Sequence, residues 1–196
     1  MDESYDIFRF ESNDIEPKKG RVLISEPFLE GRYFSRSVVL LTEFSDEGAV
    51  GFVLNKPVNL NVNEVLTELD EFPSEVFIGG PVQNNQIYYL HTVPELIPNS
   101  FQVTDNLYWG GDFAILKELI SLKKIEVHQV RFFAGYSGWS AGQLEDEIKE
   151  NSWLVSSIDL EQIMSVDNTD IWKESLSKLG GNFKVWANFP KDQNLN

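Results

Sequence analysis

Two apolar runs dominate the first half of the chain, at residues 37–44 and 49–54, both rich in valine and leucine. Ser45-Asp46-Glu47-Gly48 separates them, a polar stretch ending in glycine. The pair predicts a β-hairpin. Each run is nearly continuous rather than alternating, which predicts strands covered on both faces. Val22-Leu23-Ile24 predicts a short strand stopped at Glu26-Pro27, and Pro57 ends the second long run and forces Lys56 to be extended. Further strands are expected at 76–78, 87–90, 127–134 and 153–155. Residues 101–103 and 107–109 flank Thr104-Asp105-Asn106 as another hairpin.

Helical spacing falls elsewhere. In residues 61–69, Val62, Val65, Leu66 and Leu69 share a face, with Asn61 as cap and Glu64 at the capping-box position. Asp112 opens a second helix with Ile115, Leu116, Leu119 and Ile120 inward. A third is expected over 140–150, with Ser140 as cap and Gln143 at the box position. A last one over 169–179 places Trp172, Leu176 and Leu179 on one stripe and closes at Gly180-Gly181. Hairpins in the first half and helices between strands in the second predict an α+β fold with a mixed, mainly antiparallel sheet. Residues 1–19 read as a polar arm with one apolar patch at Ile7, Phe8 and Phe10, residues 20–189 as a single domain, and 190–196 as a tail.

The charge balance narrows the function. The chain has 196 residues, 16 Lys+Arg against 31 Asp+Glu, and a net charge of −15. Such a chain is a poor match for nucleic-acid phosphates or an anionic membrane, so direct binding to either is not expected. The absence of cysteine excludes thiolate chemistry, and two histidines make a His-rich metal site improbable. Neither a membrane-length apolar run nor a basic-then-apolar signal pattern occurs, so a cytoplasmic protein is expected. No cofactor motif is present, and the oligomeric state stays open.

Gly135-Tyr136-Ser137-Gly138-Trp139 sits between a predicted strand and a predicted helix. A nucleophile elbow needs that context, but here the fifth position is Trp139 instead of glycine. Ser137 is therefore read as filling space in a glycine-bent crossover. The alternative is a hydrolase using Ser137 with His91 or His128 as base. His91 is placed at a strand end and His128 within a strand. On the third helix Gln143, Glu147 and Glu150 share a face, and a Glu145/Glu147 carboxylate site for a divalent ion is weighed against a solvated helix surface. Gly79-Gly80-Pro81 offers either a tight turn or an anion-binding nest. Arg32 and Arg36 offer a phosphate or carboxylate site, or pairs for the surplus acid.

Several segments in order resemble the YqgE/AlgH family. They are Gly20-Arg21-Val22-Leu23-Ile24-Ser25-Glu26-Pro27, Phe34-Ser35-Arg36-Ser37-Val38-Val39-Leu40-Leu41, and Gly48-Ala49-Val50-Gly51-Phe52-Val53-Leu54-Asn55-Lys56-Pro57. Gly79-Gly80-Pro81-Val82 and the signature from Gly135-Tyr136-Ser137-Gly138-Trp139 through Ser140-Ala141-Gly142-Gln143-Leu144-Glu145 continue the match, which spans about residues 20–181. The resemblance implies a sheet that forks and curls into a pseudo-barrel with packed helices, and a transcriptional-regulator label but no established chemistry. The residues so marked make a candidate binding surface: Arg36, Asn55, Gly79, Gly80, Tyr136, Ser137, Gly138, Trp139, Gln143 and Glu147. The expected function is a non-enzymatic binding protein that acts through a protein partner or a small ligand.

Overall fold

The computed structural model describes residue 11, residues 13–167 and residues 170–189. The predicted apolar patch at Ile7, Phe8 and Phe10, the start of the last predicted helix at Thr169 and the tail 190–196 lie outside the described residues.

The chain runs β1 (Val22–Ser25), β2 (Val38–Ser45), β3 (Gly48–Val53), β4 (Pro57–Asn61), α1 (Val62–Val65), β5 (Glu75–Ile78), β6 (Val82–His91), β7 (Phe101–Thr104), β8 (Leu107–Trp109), and α2 (Phe113–Ser121). It continues through a 3-10 turn (Val127–Gln129) to β9 (Val130–Ser140), α3 (Gln143–Lys149), β10 (Trp153–Ser156), α4 (Leu160–Met164), α5 (Ile171–Leu179) and α6 (Phe183–Trp186). The fold is α+β. Its sheet has the strand order β10-β1-β2-β3-β9-β6-β8-β7, with β5 joined to β9 and β4 to β5. Every pairing is antiparallel except β5 with β9. The sheet curls without closing.

Strand alternation explains the layers. In β2, Val38 and Leu40 enter the cluster inside the curl, while Val39 and Leu41 enter the outer one. In β3, Phe52 faces inward and Val53 outward. Both faces are buried, as the unbroken apolar runs require. α4, α5 and α6 contribute Ile163, Ile171, Trp172, Leu176 and Trp186 to the inner cluster. α3 covers the outer one with Leu144 and Ile148, and α2 contributes Leu116 and Ile120 to a third. Asp112 caps α2 as expected, accepting from the amides of Ala114 and Ile115 at 3.0 and 3.2 Å.

β9 organises the sheet. Its first half lies between β5 and β6, and residues 137–140 pair with β3. The fork occurs at Gly135, whose φ of +69° breaks the regular pleat. The Gly135–Trp139 signature is therefore strand, and the glycine-bent crossover expected there does not exist. The third helix begins at Gln143 instead of Ser140, although the Ser140 amide still donates to Gln143 Oε1 at 3.0 Å.

The first predicted helix shrinks to one turn. Asn61 makes no side-chain cap. Asn63 instead donates to the carbonyls of Leu69 and Asp70 at 3.0 and 2.5 Å and accepts from the Phe72 amide at 2.9 Å, folding the chain back. β3 already stops at Val53, and Pro57, expected to end that run, instead opens β4 at the first-residue position that proline tolerates in a strand. Within the expected arm, Asn13 docks on β10: its side-chain amide donates to the Val155 carbonyl at 2.6 Å and accepts from the Val155 amide at 2.9 Å, covering a sheet edge.

Candidate functional site

The signature residues separate into four environments. Gly79, Gly80 and Ser137 form the first, a backbone crossing at the fork. A β-carbon on Gly79 would stand 2.2 Å from the Gly135 carbonyl oxygen, and one on Gly80 would stand 2.3 Å from the Tyr136 carbonyl carbon. Only glycine admits so close an approach. The Gly79 amide donates to the Ala134 carbonyl at 2.9 Å, so it is not available to an anion and the nest reading fails there. Ser137 is fully buried, and its hydroxyl donates to the Gly79 carbonyl at 3.0 Å.

That placement removes the hydrolase alternative. His91 pairs with Val130 at the far end of β9. That position stands seven steps along β9 from Ser137, roughly 20 Å at the usual rise. His128 is not in a strand. It sits in the 3-10 turn, exposed, 3.4 Å from Glu126. Neither histidine reaches Ser137, and a buried hydroxyl facing a carbonyl meets no substrate.

Trp139, Gln143 and Glu147 form the second environment, a clasp between the sheet's outer face and α3. The Trp139 and Trp153 indoles both donate to Glu147 Oε2, at 2.9 and 2.8 Å. Gln143 Nε2 donates to Glu147 Oε1 at 3.0 Å, and Gln143 Oε1 accepts from the Ser140 amide and hydroxyl at 3.0 and 3.1 Å. Glu147 is thus held by three neutral donors. Positions two apart on a helix point to different sides, so Glu145 does not join it. The Glu145/Glu147 ion site is not formed, and among the described residues no three His, Asp or Glu side chains gather to hold a metal.

Tyr136 and Gly138 belong to the third environment. Tyr136 lines a cavity of about 240 Å³ with Glu43, Val50, Phe52, Gln83, Tyr88 and Trp109. Gly138 is exposed beside it, and a β-carbon there would lie 3.3 Å from the Tyr136 ring.

Arg36 and Asn55 meet in the fourth, a cleft of about 640 Å³ lined by Pro27, Ser35, Arg36, Asn55, Lys56, Asp170, Trp172, Lys173 and residues 187–189. Asn55 builds it. Its amide donates to the Arg36 carbonyl at 2.9 Å, and its oxygen accepts from the Val38 amide at 3.0 Å. The bend it clamps holds Arg36 at φ +50°, a left-handed conformation rare for an arginine. The guanidinium lies 4.9 Å from the centre of the Trp172 ring and donates to the Phe189 carbonyl at 2.7 Å. Burial holds its pKa below the ordinary arginine value. Lys56 Nζ donates to the Ser35 carbonyl at 2.6 Å. Trp172 donates to the Ser25 carbonyl at 2.9 Å, fixing α5 against the strands.

Trp172, Lys56, Lys173 and Phe189 were not singled out as site residues from sequence. Trp172 read as a core stripe, and Lys56 followed Asn55 in the resembling segment without a separate signal. Arg32 does not line the cleft that holds Arg36.

With the fork, the clasp and the Asn55 bend in place, the comparison with known proteins is direct. The sequence profile of the AlgH-like family, DUF179, matches residues 22–184. The chain belongs to that family. Among its relatives, a UPF0301 protein of Parabacteroides distasonis is 45% identical over 192 residues, covering 97% of each chain. One from Bacteroides fragilis is 40% identical over 199 residues, covering 100% of both. The solution structure of AlgH from Pseudomonas aeruginosa superposes with a TM-score of 0.69 at 26% identity, covering 91% of this chain and 98% of that one. A Corynebacterium diphtheriae crystal structure shares the fold with a TM-score of 0.74 at 24% identity, covering 91% and 95%. No described helix of this AlgH-like protein is long and apolar enough to cross a membrane.

Proposed function

We propose that this AlgH-like protein is a non-enzymatic binding protein whose ligand seats in the Arg36 cleft and presents a carboxylate or phosphate. One observation carries the reading. On a chain with net charge −15, the ionisable side chains lining this cavity among the described residues are Arg36, Lys56 and Lys173 against Asp170. Cations collected in a concave site with an aromatic wall at Trp172 favour an anionic group beside a planar or apolar one. Regulation of transcription, where this protein takes part in it, runs through such a ligand or a partner protein and not through DNA contact, because a duplex needs many phosphates neutralised along an extended surface and this chain carries 16 basic against 31 acidic residues.

The test is a titration of isotope-labelled protein with inorganic phosphate and with citrate, followed by NMR. Saturable shifts at the Trp172 indole and the Asn55 side chain are expected, and they should weaken at least tenfold in the Lys56→Gln/Lys173→Gln double variant. Shifts that do not saturate, or that survive in the double variant, defeat the reading.

A further inference from the structure

The Tyr136 cavity lies in a different part of the sheet and shares no lining residue with the Arg36 cleft. Four rings from four strands surround it: Phe52 of β3, Tyr88 of β6, Trp109 of β8 and Tyr136 of β9. The Tyr88 and Tyr136 rings stand at 81° with centroids 5.5 Å apart, making a corner. Phe52 lies 6.0 Å from Tyr88 and 6.1 Å from Trp109. Phe101 stacks on Trp109 at 5.2 Å, which fixes the plane of the indole. The charged residue on the lining is Glu43, an exposed carboxylate set opposite Val50 in the β2–β3 ladder.

We infer that this box is a second binding site, and that it takes a quaternary ammonium group. Ring faces attract a cation through their quadrupoles, and a walled site strips its water and strengthens the attraction. Glu43 adds a carboxylate of the right sign at the rim.

The hydrogen-bonding inventory selects among cations. The single proton of the Tyr88 hydroxyl has two acceptors in reach, Gln83 Oε1 and, at 3.1 Å, Gln86 Oε1. A guanidinium would bring five N–H donors and a primary ammonium three, and the lining side chains that can accept are Glu43, Gln83 and the hydroxyls of Tyr88 and Tyr136, which sit at the ring tips and not on the ring faces. A donor left unmatched in an apolar box is costly. A trimethylammonium group brings no donors and covers the rings with methyls. The volume of about 240 Å³ accommodates such a head group with the rest of the molecule outside.

The experiment titrates the labelled full chain with choline, with its neutral carbon isostere 3,3-dimethylbutan-1-ol, and with N-acetylarginine amide, at constant chloride. Choline should shift the Trp109 indole and the amides of Tyr136 and Gly138, saturating in the millimolar range. The neutral isostere should bind about tenfold more weakly, since only the charge differs. Glu43→Lys, an exposed change that leaves the rings in place, should abolish saturation. Tyr136→Leu should weaken choline about tenfold while the spectrum stays dispersed. Equal binding by the isostere overturns the inference and leaves an apolar hole. Tighter binding by the arginine amide overturns the choice of cation. No saturable shift up to about 50 mM choline overturns the site itself. Should Tyr136→Leu fail to fold, Glu43→Lys decides alone: undiminished choline binding in that variant refutes the proposal.

Discussion

The two ends of β9 hold a lone charge in opposite ways. Near the start, Arg131 is fully buried in the inner cluster with its guanidinium 4.1 Å from the centre of Phe77 and 5.4 Å from that of Phe133. Its nitrogens donate to the carbonyls of Leu54 and Ile163. Near the other end, Trp139 gives its indole N–H to Glu147, a half-buried carboxylate with three neutral donors. Among the described residues, neither charge is within ion-pair distance of an opposite one. Both are stabilised by dipoles instead. The difference is range. The Glu147 donors come from residues 139, 143 and 153, a closed local unit. The Arg131 acceptors come from the end of the β2–β3 hairpin and from α4, so one guanidinium pins two distant elements to the middle of the sheet.

That contrast predicts unequal costs. Arg131→Ala should have the largest effect, about 4 kcal/mol in urea unfolding, because it leaves a cavity and two buried carbonyls without donors. Arg131→Met fills the cavity but still orphans the carbonyls, and should recover about half. The charge itself survives in the native protein. Burial pushes the arginine pKa down to about 9, with Glu75 opposing, so the group remains protonated at neutral pH. A loss under about 1 kcal/mol in Arg131→Ala would show that the long-range staple is not real.

Glu147→Leu comes next, at about 2 kcal/mol. Two indole N–H groups lose their shared acceptor, but water reaches a half-buried site and replaces part of it. Trp139 and Trp153 also report it optically, so a changed tryptophan emission should accompany the loss. Both variants should move one transition without splitting it, since the clasp and the staple share β9 and a single cooperative domain is proposed for residues 20–189. Two separate calorimetric transitions would divide the ends of β9 into independent units.

His91 sharpens the comparison by resolving burial differently: it gives up its charge. It lies opposite Val130, beside Arg131, fully buried, with the Val93 amide donating to Nδ1 at 3.3 Å. Burial first, against weaker opposing help from the Gly110 backbone and Glu95, pushes its pKa from 6.5 down to about 4. The unfolded chain therefore takes up this proton at a higher pH than the native one. Its stabilising contribution is complete above about pH 6.5 and is lost as pH falls towards 4, a loss on the order of 2 kcal/mol. His91→Asn keeps an acceptor for Val93 and should flatten the stability profile in that window alone. An unchanged slope between wild type and variant would place the acid sensitivity in the carboxylates.

What sequence could show follows the same division by range. The hairpin at 45–48, the Asp112 cap and the shared face of Gln143 and Glu147 are written within a few residues of one another, and each was legible. Trp139 of the clasp was legible as a residue to watch, but its acceptor was not, since nothing local says that an indole on a strand will find a helical carboxylate. Asn63 competes with a helix through its own side chain, and apolar spacing over 61–69 conceals that. Arg131 drew no attention at all. A lone arginine in a strand looks like an exposed position, and both of its acceptors lie far along the chain. The Arg36 cleft was half legible for the same reason: Arg36 and Asn55 fall within one hairpin, whereas Trp172 and Phe189 arrive from the C-terminal helices.

Ser137→Ala should have the smallest effect, and it tests the middle of β9, where the polar group carries no charge. The hydroxyl makes one hydrogen bond, to the Gly79 carbonyl, and that oxygen also accepts from the Val53 amide at 2.9 Å. Removing the hydroxyl thus leaves the carbonyl partnered. Alanine fits wherever serine does, so no overpacking follows. The expected loss is about 1 kcal/mol or less, the usual net worth of one neutral hydrogen bond whose acceptor keeps another donor. The fork should be unchanged, because it depends on the close approach of Gly79 and Gly80 to Gly135–Ser137 rather than on the hydroxyl. Phosphate binding in the Arg36 cleft and choline binding in the Tyr136 box should be equal in wild type and variant. A loss near that of Arg131→Ala would mean that the crossing is held by this one bond, and would move the weight of β9 from its charged ends to its centre.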